Sequence, residues 1–426
     1  MAQDKNLMPV DVSFCRREFP ALEMKVDGKP VIFLDGSGGT QVPKSVADTV
    51  ADYLLHHNAN THGYFATAAQ TDQILADARV AVADLLGAKP GEIAFGTNMT
   101  TLNYALSRAL GRDLKPGDEV VITDLDHEAN RGPWLALAEK GATVKSVRVD
   151  VDRFQLDWND FEAKVGPKTK IVAVGYASNA IGTINDVKRA AALAHSVGAT
   201  CVIDAVHGAP HIPVDVRDID CDFLLCSAYK FFGPHIGIVY GRSDAFAKLV
   251  PYKLRPQDDH PPYRLETGTL CHEGIAGTTP AVEFIAGVGR RAAALAGQAA
   301  PADRRAAVLV GVRAIQAYED VLAKKLQDGL RAIPGTMVYR APDGTPRTPT
   351  VSSVFKGRRA DEMAKALGRE GIFVWDGNFY ATTLVDDIFK LVPRGGLVRM
   401  GLAPYNTDAE IDRALATVEG LVMQAG

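Results

Sequence analysis

The chain has 426 residues, 47% hydrophobic and 23% charged, the balance of an ordinary soluble globular protein. That length is too great for one small core, so two domains are expected. A net charge of −4 with no basic block argues against nucleic acid or an anionic membrane as the main partner.

In chain order, the opening MAQDKNLMPVDVSF has no basic stretch leading into an apolar one, so no signal peptide is expected. Within FLDGSGGT, GSGG (36–39) reads as a turn near a site rather than a phosphate loop. Between about 90 and 245, short β-rich runs alternate with helical stretches. EIAF (92–95), DEVVITD (118–124), TVKSVRVD (143–150), KIVAVGY (170–176), TCVIDA (200–205), DFLLCS (222–227) and GIVYG (237–241) read as strands. Several are almost wholly apolar, as strands covered on both faces should be. TTLNYALSRAL, NRGPWLALAEKG and DVKRAAALAHSVG read as the helices between them. This alternation predicts an α/β layered domain with a mostly parallel sheet of seven strands, with ligands at the strands' carboxyl ends.

The Ala-rich segment 287–334 reads as long helices, including GVRAIQAYEDVLAKKLQDGLRAI. MVYR, TVSSVF, GIFVW and LVRMG then read as strands, mixed with the helices ADEMAKALGRE and DAEIDRALATVEGL. The expected division is a large domain over 33–290 and a smaller α+β domain from 1–32 and 291–426. No uninterrupted apolar run reaches membrane-spanning length. The five scattered cysteines (Cys15, Cys201, Cys221, Cys226, Cys271) suit a reducing cytoplasm better than a disulfide framework. Cys221 and Cys226 lack a second Cys/His pair at metal spacing and read as buried thiols, so no metal is expected.

The predicted strand ends present an ordered polar set. Asp204 ends CVID and His207 follows it; Ser227 and Lys230 end DFLLCSAYK; Asn98, Met99 and Thr100 sit between EIAF and the next helix; His127 follows DEVVITDLD. Each has a plain alternative: a snorkelling lysine, an aspartate that caps a helix, a loop histidine. Together they suit pyridoxal 5′-phosphate. That cofactor needs a lysine for a Schiff base and a carboxylate to keep its ring nitrogen protonated. Its phosphate needs a helix N-terminus with hydroxyls. A lysine in a partly desolvated site also loses its proton more readily.

The stretch VIDAVHGAPHIPVDVRDIDCDFLLCSAYKFFGPHIGIVYG resembles the cofactor-binding core of class V aminotransferases, in the cysteine desulfurase branch. The resemblance extends through FLDGSGGT, NANTHGYFA, DHEANRGPW, YASNAIGTIND, LETGT and VRMGLAPYNT. It implies fold type I and a homodimer with active sites at the subunit interface. It makes Lys230 the Schiff-base lysine and Asp204 the partner of the pyridine nitrogen. His127 stacks on the ring, while Asn179 and His207 lie beside its phenolic oxygen. Thr100 and Ser227 contact the phosphate, as does Thr269 from the neighbouring subunit. Arg399 receives the substrate carboxylate through its bidentate fork. His62 and Tyr64 are candidates for the substrate entrance, and Asn378 and Tyr380 for facing the substrate.

The sequence departs from that branch in three places. His207 stands where glutamine is usual, and Tyr229 where histidine is usual. Tyr380, in WDGNFYATTLV, stands where the desulfurases carry the loop cysteine that accepts sulfur. A phenol cannot accept sulfane sulfur as a thiolate does. The expected function is therefore a lyase that breaks a bond at the substrate's β-carbon. Alternatives are an aminotransferase or epimerase, a desulfurase using another thiol such as Cys271, and a non-catalytic cofactor-binding protein.

Overall fold

The computed structural model describes residues 9–424. Its centre is a sheet of seven strands, in the order Ile93–Gly96, Gly237–Gly241, Phe223–Ser227, Thr200–Asp204, Thr169–Gly175, Glu119–Thr123 and Thr143–Val147. Gly237–Gly241 is antiparallel to both neighbours, and the other pairings are parallel. The period-2 geometry of a strand explains the apolar runs. Cys201 and Ile203 face one core while Val202 faces the other, so both surfaces of the sheet are dry. Helices Met99–Leu110 and Val187–Ser196 cover these faces.

A second sheet of four strands is wholly antiparallel, in the order Thr336–Tyr339, Thr350–Phe355, Leu397–Gly401 and Trp375–Gly377. With helices Arg304–Ala332, Ala360–Arg369 and Asp408–Met423 it encloses a separate core around Val351, Val398, Met363 and Ile411. Helix Thr278–Leu295 crosses Arg304–Ala332 closely at Gly289 and Gly311, where a Cβ on either would overlap the other helix's backbone.

Several elements differ from the sequence expectation. GIFVW is two pieces: Ile372–Phe373 pairs with Ile32–Phe33, and Trp375–Gly377 joins the four-stranded sheet. TVKSVRVD also divides, its end forming a hairpin of Val149–Asp150 with Gln155–Leu156. NRGPWLALAEKG makes only one α-turn, Gly132–Leu135, before tightening to 3-10 geometry over Ala136–Lys140. The Ala-rich helical region breaks at 296–303, which contains Gly297 (φ 66°) and Pro301. The expectation for the N-terminal segment concerns residues 1–32, of which 1–8 lie outside the described residues. Its helix Val12–Glu18 bridges the two units: Arg16 pairs with Glu410, while Phe19 packs on Tyr405, Phe232 and Phe284.

Candidate active site

A cavity of about 690 Å³ opens at the carboxyl ends of the parallel strands and is closed on its far side by the small sheet. At one end the strand Ile93–Gly96 turns into helix Met99–Leu110. Asn98 caps that helix, its Oδ1 accepting from Thr101 N at 2.8 Å. Met99 N donates to Ser227 Oγ at 3.3 Å, and Thr100 lines the same wall. The turn lies against Gly237, where any Cβ would overlap the Asn98 backbone. The positive end of the helix and two hydroxyls therefore meet at one point.

The middle of the cavity holds the titratable groups. Lys230 ends a 3-10 turn after Phe223–Ser227 and is buried, its Nζ donating to the carbonyl of Ser37. Burial, with the charge of Arg399, lowers its pKa to about 7, against the opposing pull of Asp204. Asp204 Oδ1 accepts from Val206 N at 2.9 Å, and burial raises the carboxyl to about 6. His127 Nδ1 accepts from Ala129 N at 2.9 Å. Burial first, then Lys230 and Arg399, push that imidazole down to about 4, so it is neutral and carries its proton on Nε2. His207 is buried, with Nε2 between Thr348 and Thr350.

The far wall comes from the small sheet. Arg399 lies on its strand Leu397–Gly401, and its guanidinium donates to Asn179 O at 2.8 Å and stacks on Phe379 at 4.0 Å. Among the described residues neither its Nε nor Asn179 Oδ1 has a partner, though both atoms are buried. Desolvation lowers the arginine to about 9. Over this wall runs the loop bearing Asn378, Phe379 and Tyr380, the last two at φ 57° and 59°. Asn179 Nδ2 donates to Phe379 O at 2.8 Å, Glu128 N to Tyr380 O at 2.7 Å, and Asn378 Nδ2 to Asp386 at 2.6 Å. The Tyr380 phenol is exposed, its ring 5.4 Å from that of His127.

The cavity thus gathers Asn98, Met99, Thr100, His127, Asn179, Asp204, His207, Ser227, Lys230, Asn378, Tyr380 and Arg399. It does not gather His62 or Thr269. These line a second cavity of about 1050 Å³, because the chain around His62 leads into helix Ala66–Leu86, and Glu266 ties the Thr269 loop to Arg79 on that helix. His62, expected at the substrate entrance, thus lies outside the cavity that holds Lys230. Sequence reasoning missed three contributors. Ser37 meets Lys230 by its carbonyl; Trp375 walls the mouth against Gly38; and Asp126 bonds Gly175 N and Asn130 Nδ2. Burial raises Asp126 to about 7. Its place directly before His127 was the available signal.

The family model for class V aminotransferases matches residues 32–414. The chain belongs to that family. It is 33% identical to a probable cysteine desulfurase of Mycolicibacterium paratuberculosis over 96% of its own length, but spans only 58% of that relative. It is 30% identical to a probable cysteine desulfurase of Synechocystis sp., covering 96% of this chain and 94% of that one. The solved apo cysteine desulfurase of Thermococcus onnurineus matches 100% of both chains with a TM-score of 0.85 at 27% identity. Class V aminotransferases, the family to which this chain belongs, are pyridoxal phosphate enzymes that act on amino acids. The chain's residues fit the cofactor: a desolvated lysine, a buried carboxylate, a capped helix end, and unpartnered Asn179 Oδ1 and Arg399 Nε await a polar occupant.

Proposed function

We propose that the protein is a lyase that breaks a bond at the β-carbon of an amino acid, with Lys230 as covalent anchor of the cofactor. One observation carries this reading: among the described residues lining the cavity there is no cysteine, and Tyr380 occupies the loop above it. Four of the five cysteines are buried, and the exposed Cys271 lies beyond this cavity.

Bound pyridoxal phosphate supplies an electron sink that stabilises negative charge at the substrate's α-carbon. Arg399 binds the substrate carboxylate through its unused donors, orienting the α-carbon toward Lys230. The Lys230 amine is substantially neutral near pH 7 and can take the α-proton at Nζ. Asp204 would keep the proton on the cofactor's ring nitrogen, and neutral His127 would wall its ring. The Tyr380 hydroxyl is a donor for the departing β-group. No further nucleophile is needed.

The same reading takes the protein as a cytoplasmic homodimer. In support, all five cysteines are free, and Leu254 and Tyr263 leave an apolar rim on the second cavity for another copy to cover. Thr269 would then reach the partner's phosphate site. It also takes 33–290 as the cofactor-binding domain, supported by the separate core under the small sheet. The test is incubation of the loaded protein with the twenty amino acids, cystine and sulfinates, reading pyruvate, ammonia, alanine, sulfide and protein persulfide. Pyruvate with ammonia from one substrate supports the lyase. A persulfide mapped to Cys271 makes it a desulfurase by another thiol, and alanine without pyruvate or persulfide overturns elimination.

A further inference from the structure

His207 leaves the end of the large sheet and bonds the small one. Its Nε2 is 2.9 Å from Thr350 Oγ1 and 3.0 Å from Thr348 Oγ1. Thr350 Oγ1 is also 2.8 Å from Ser37 Oγ, and the Ser37 carbonyl accepts from Lys230. Ser37, Thr348 and Thr350 are each 1% exposed, so every hydroxyl proton must find an acceptor inside the protein.

Each hydroxyl has one proton to give. Ser37 Oγ has only Thr350 as partner among the described residues, so Ser37 donates to Thr350. Thr348 has three places for its proton: Gly182 O at 3.4 Å, Thr350 Oγ1 at 3.3 Å, and Nε2 of His207 at 3.0 Å, where it too would make Nε2 an acceptor. The Thr350 oxygen is then already accepting, and Nε2 of His207 remains as the acceptor for its proton. A neutral imidazole whose Nε2 accepts carries its own proton on Nδ1. His207 is neutral: burial pushes it well below the usual histidine range, and His211, Lys230, Arg399 and His127 all oppose a second proton. The His211 ring stands 5.8 Å away, with Nδ1 bonded to buried Glu319 at 2.8 Å.

We infer that the Ser37–Thr350 hydroxyl chain holds His207 as the neutral Nδ1–H tautomer, making it a hydrogen-bond donor to an anionic oxygen of the cavity's occupant. Ser37 and Thr350 are then positioning residues acting through His207. The tautomer follows from the hydrogen bonds and the burial of His207; its use by pyridoxal phosphate rests on the cavity being the cofactor site.

The first measurement needs no cofactor. With nitrogen-15-labelled histidine in the full chain, and the His207 signals assigned by their loss in His207→Gln, two-bond couplings report the tautomer. We expect Nδ1–H in the wild type, Nδ1–H kept in Thr350→Ser, and Nε2–H gained in Thr350→Val. Nε2–H in the wild type overturns the inference even if Thr350→Val does not fold. An unchanged tautomer in folded Thr350→Val overturns it too. In the loaded protein, losing this donor should raise the pH midpoint of the cofactor's visible absorbance by about half a unit to one unit. An unmoved midpoint in a variant with switched tautomer removes the donor role. Failure of pyridoxal phosphate to label Lys230 sinks the cofactor site and leaves the tautomer standing.

Discussion

Replacing Arg399 with methionine is expected to make the unliganded protein more stable and much poorer at binding its substrate. Arg399 is 4% exposed and, among the described residues, faces no carboxylate at salt-bridge distance. Burial lowers its pKa from the usual arginine range to about 9. At about 1.4 kcal/mol per pH unit, the charged form is disfavoured by about 5 kcal/mol. Methionine forfeits the charge-assisted bond to Asn179 O, worth about 2 kcal/mol, and the face of Phe379, worth about 2 kcal/mol. A gain of about 1 kcal/mol remains, or about 1 °C in Tm for a chain of this length. The loss appears on binding. A charge-assisted fork to a carboxylate contributes about 3 kcal/mol, so kcat/KM should fall about a hundredfold or more. Thermal melts of unloaded protein and kinetics of loaded protein read the two effects. A Tm lowered by several degrees refutes the electrostatic reasoning, and unchanged kcat/KM refutes the carboxylate role.

Lys230→Met should remove a pH dependence as well as the cofactor's anchor. Above about 7 the folded protein has lost the Lys230 proton, while the unfolded chain keeps it to about 10.5. The unfolded state binds more protons over that window, so wild-type stability from this group rises with pH there. Urea unfolding of unloaded protein across the window should show a shallower rise in the variant, and equal slopes would refute the lowered lysine. Tyr380→Phe should reduce turnover about tenfold or more with the true substrate, leaving the cofactor's absorbance unchanged; equal turnover removes the phenol from the chemistry. Arg79→Met strands Glu266, which takes both Arg79 nitrogens at 2.7 Å and Phe95 N at 2.8 Å, all buried. Removing one partner of such a pair costs about 3–5 kcal/mol, readable as a lower denaturation midpoint; a change under about 1 kcal/mol would show the pair to be unimportant.

The large sheet was legible because strands dry on both faces leave almost unbroken apolar runs, as in Thr200–Asp204 and Phe223–Ser227. Their carboxyl ends then had to share one edge, which brings Asp204, His207, Ser227 and Lys230 together in both the sequence argument and the structure. What stayed hidden depends on contacts between distant segments. GIFVW has one apolar pattern but two pairing partners, Ile32–Phe33 and Leu397–Gly401, and only the packing of both sheets splits it. Ser37 enters the site through a main-chain carbonyl, for which no residue type is a signature. The resemblance assigns Thr269 to a neighbouring subunit and His62 to the substrate entrance, and in the structure both line the second cavity.

The burial that shifts each group also makes the whole cavity a trap for anions. Arg399 brings positive charge and Lys230 adds its own as pH falls below about 7, while burial raises Asp204 to about 6 and Asp126 to about 7, so their negative charge weakens over the same range. Two anion positions should follow at opposite ends: phosphate at the capped turn of Met99, Thr100 and Ser227, and carboxylate at Arg399. Any ligand that binds only the folded protein stabilises it, by about 2.7 kcal/mol at a hundredfold excess over Kd. Inorganic phosphate and acetate should therefore each raise the Tm of the unloaded protein. Thr100→Val should blunt the response to phosphate while keeping that to acetate, and Arg399→Met should do the reverse. If one variant abolishes both responses, the two anions share a single position. The division of the cavity into a cofactor phosphate end and a substrate carboxylate end would then be wrong.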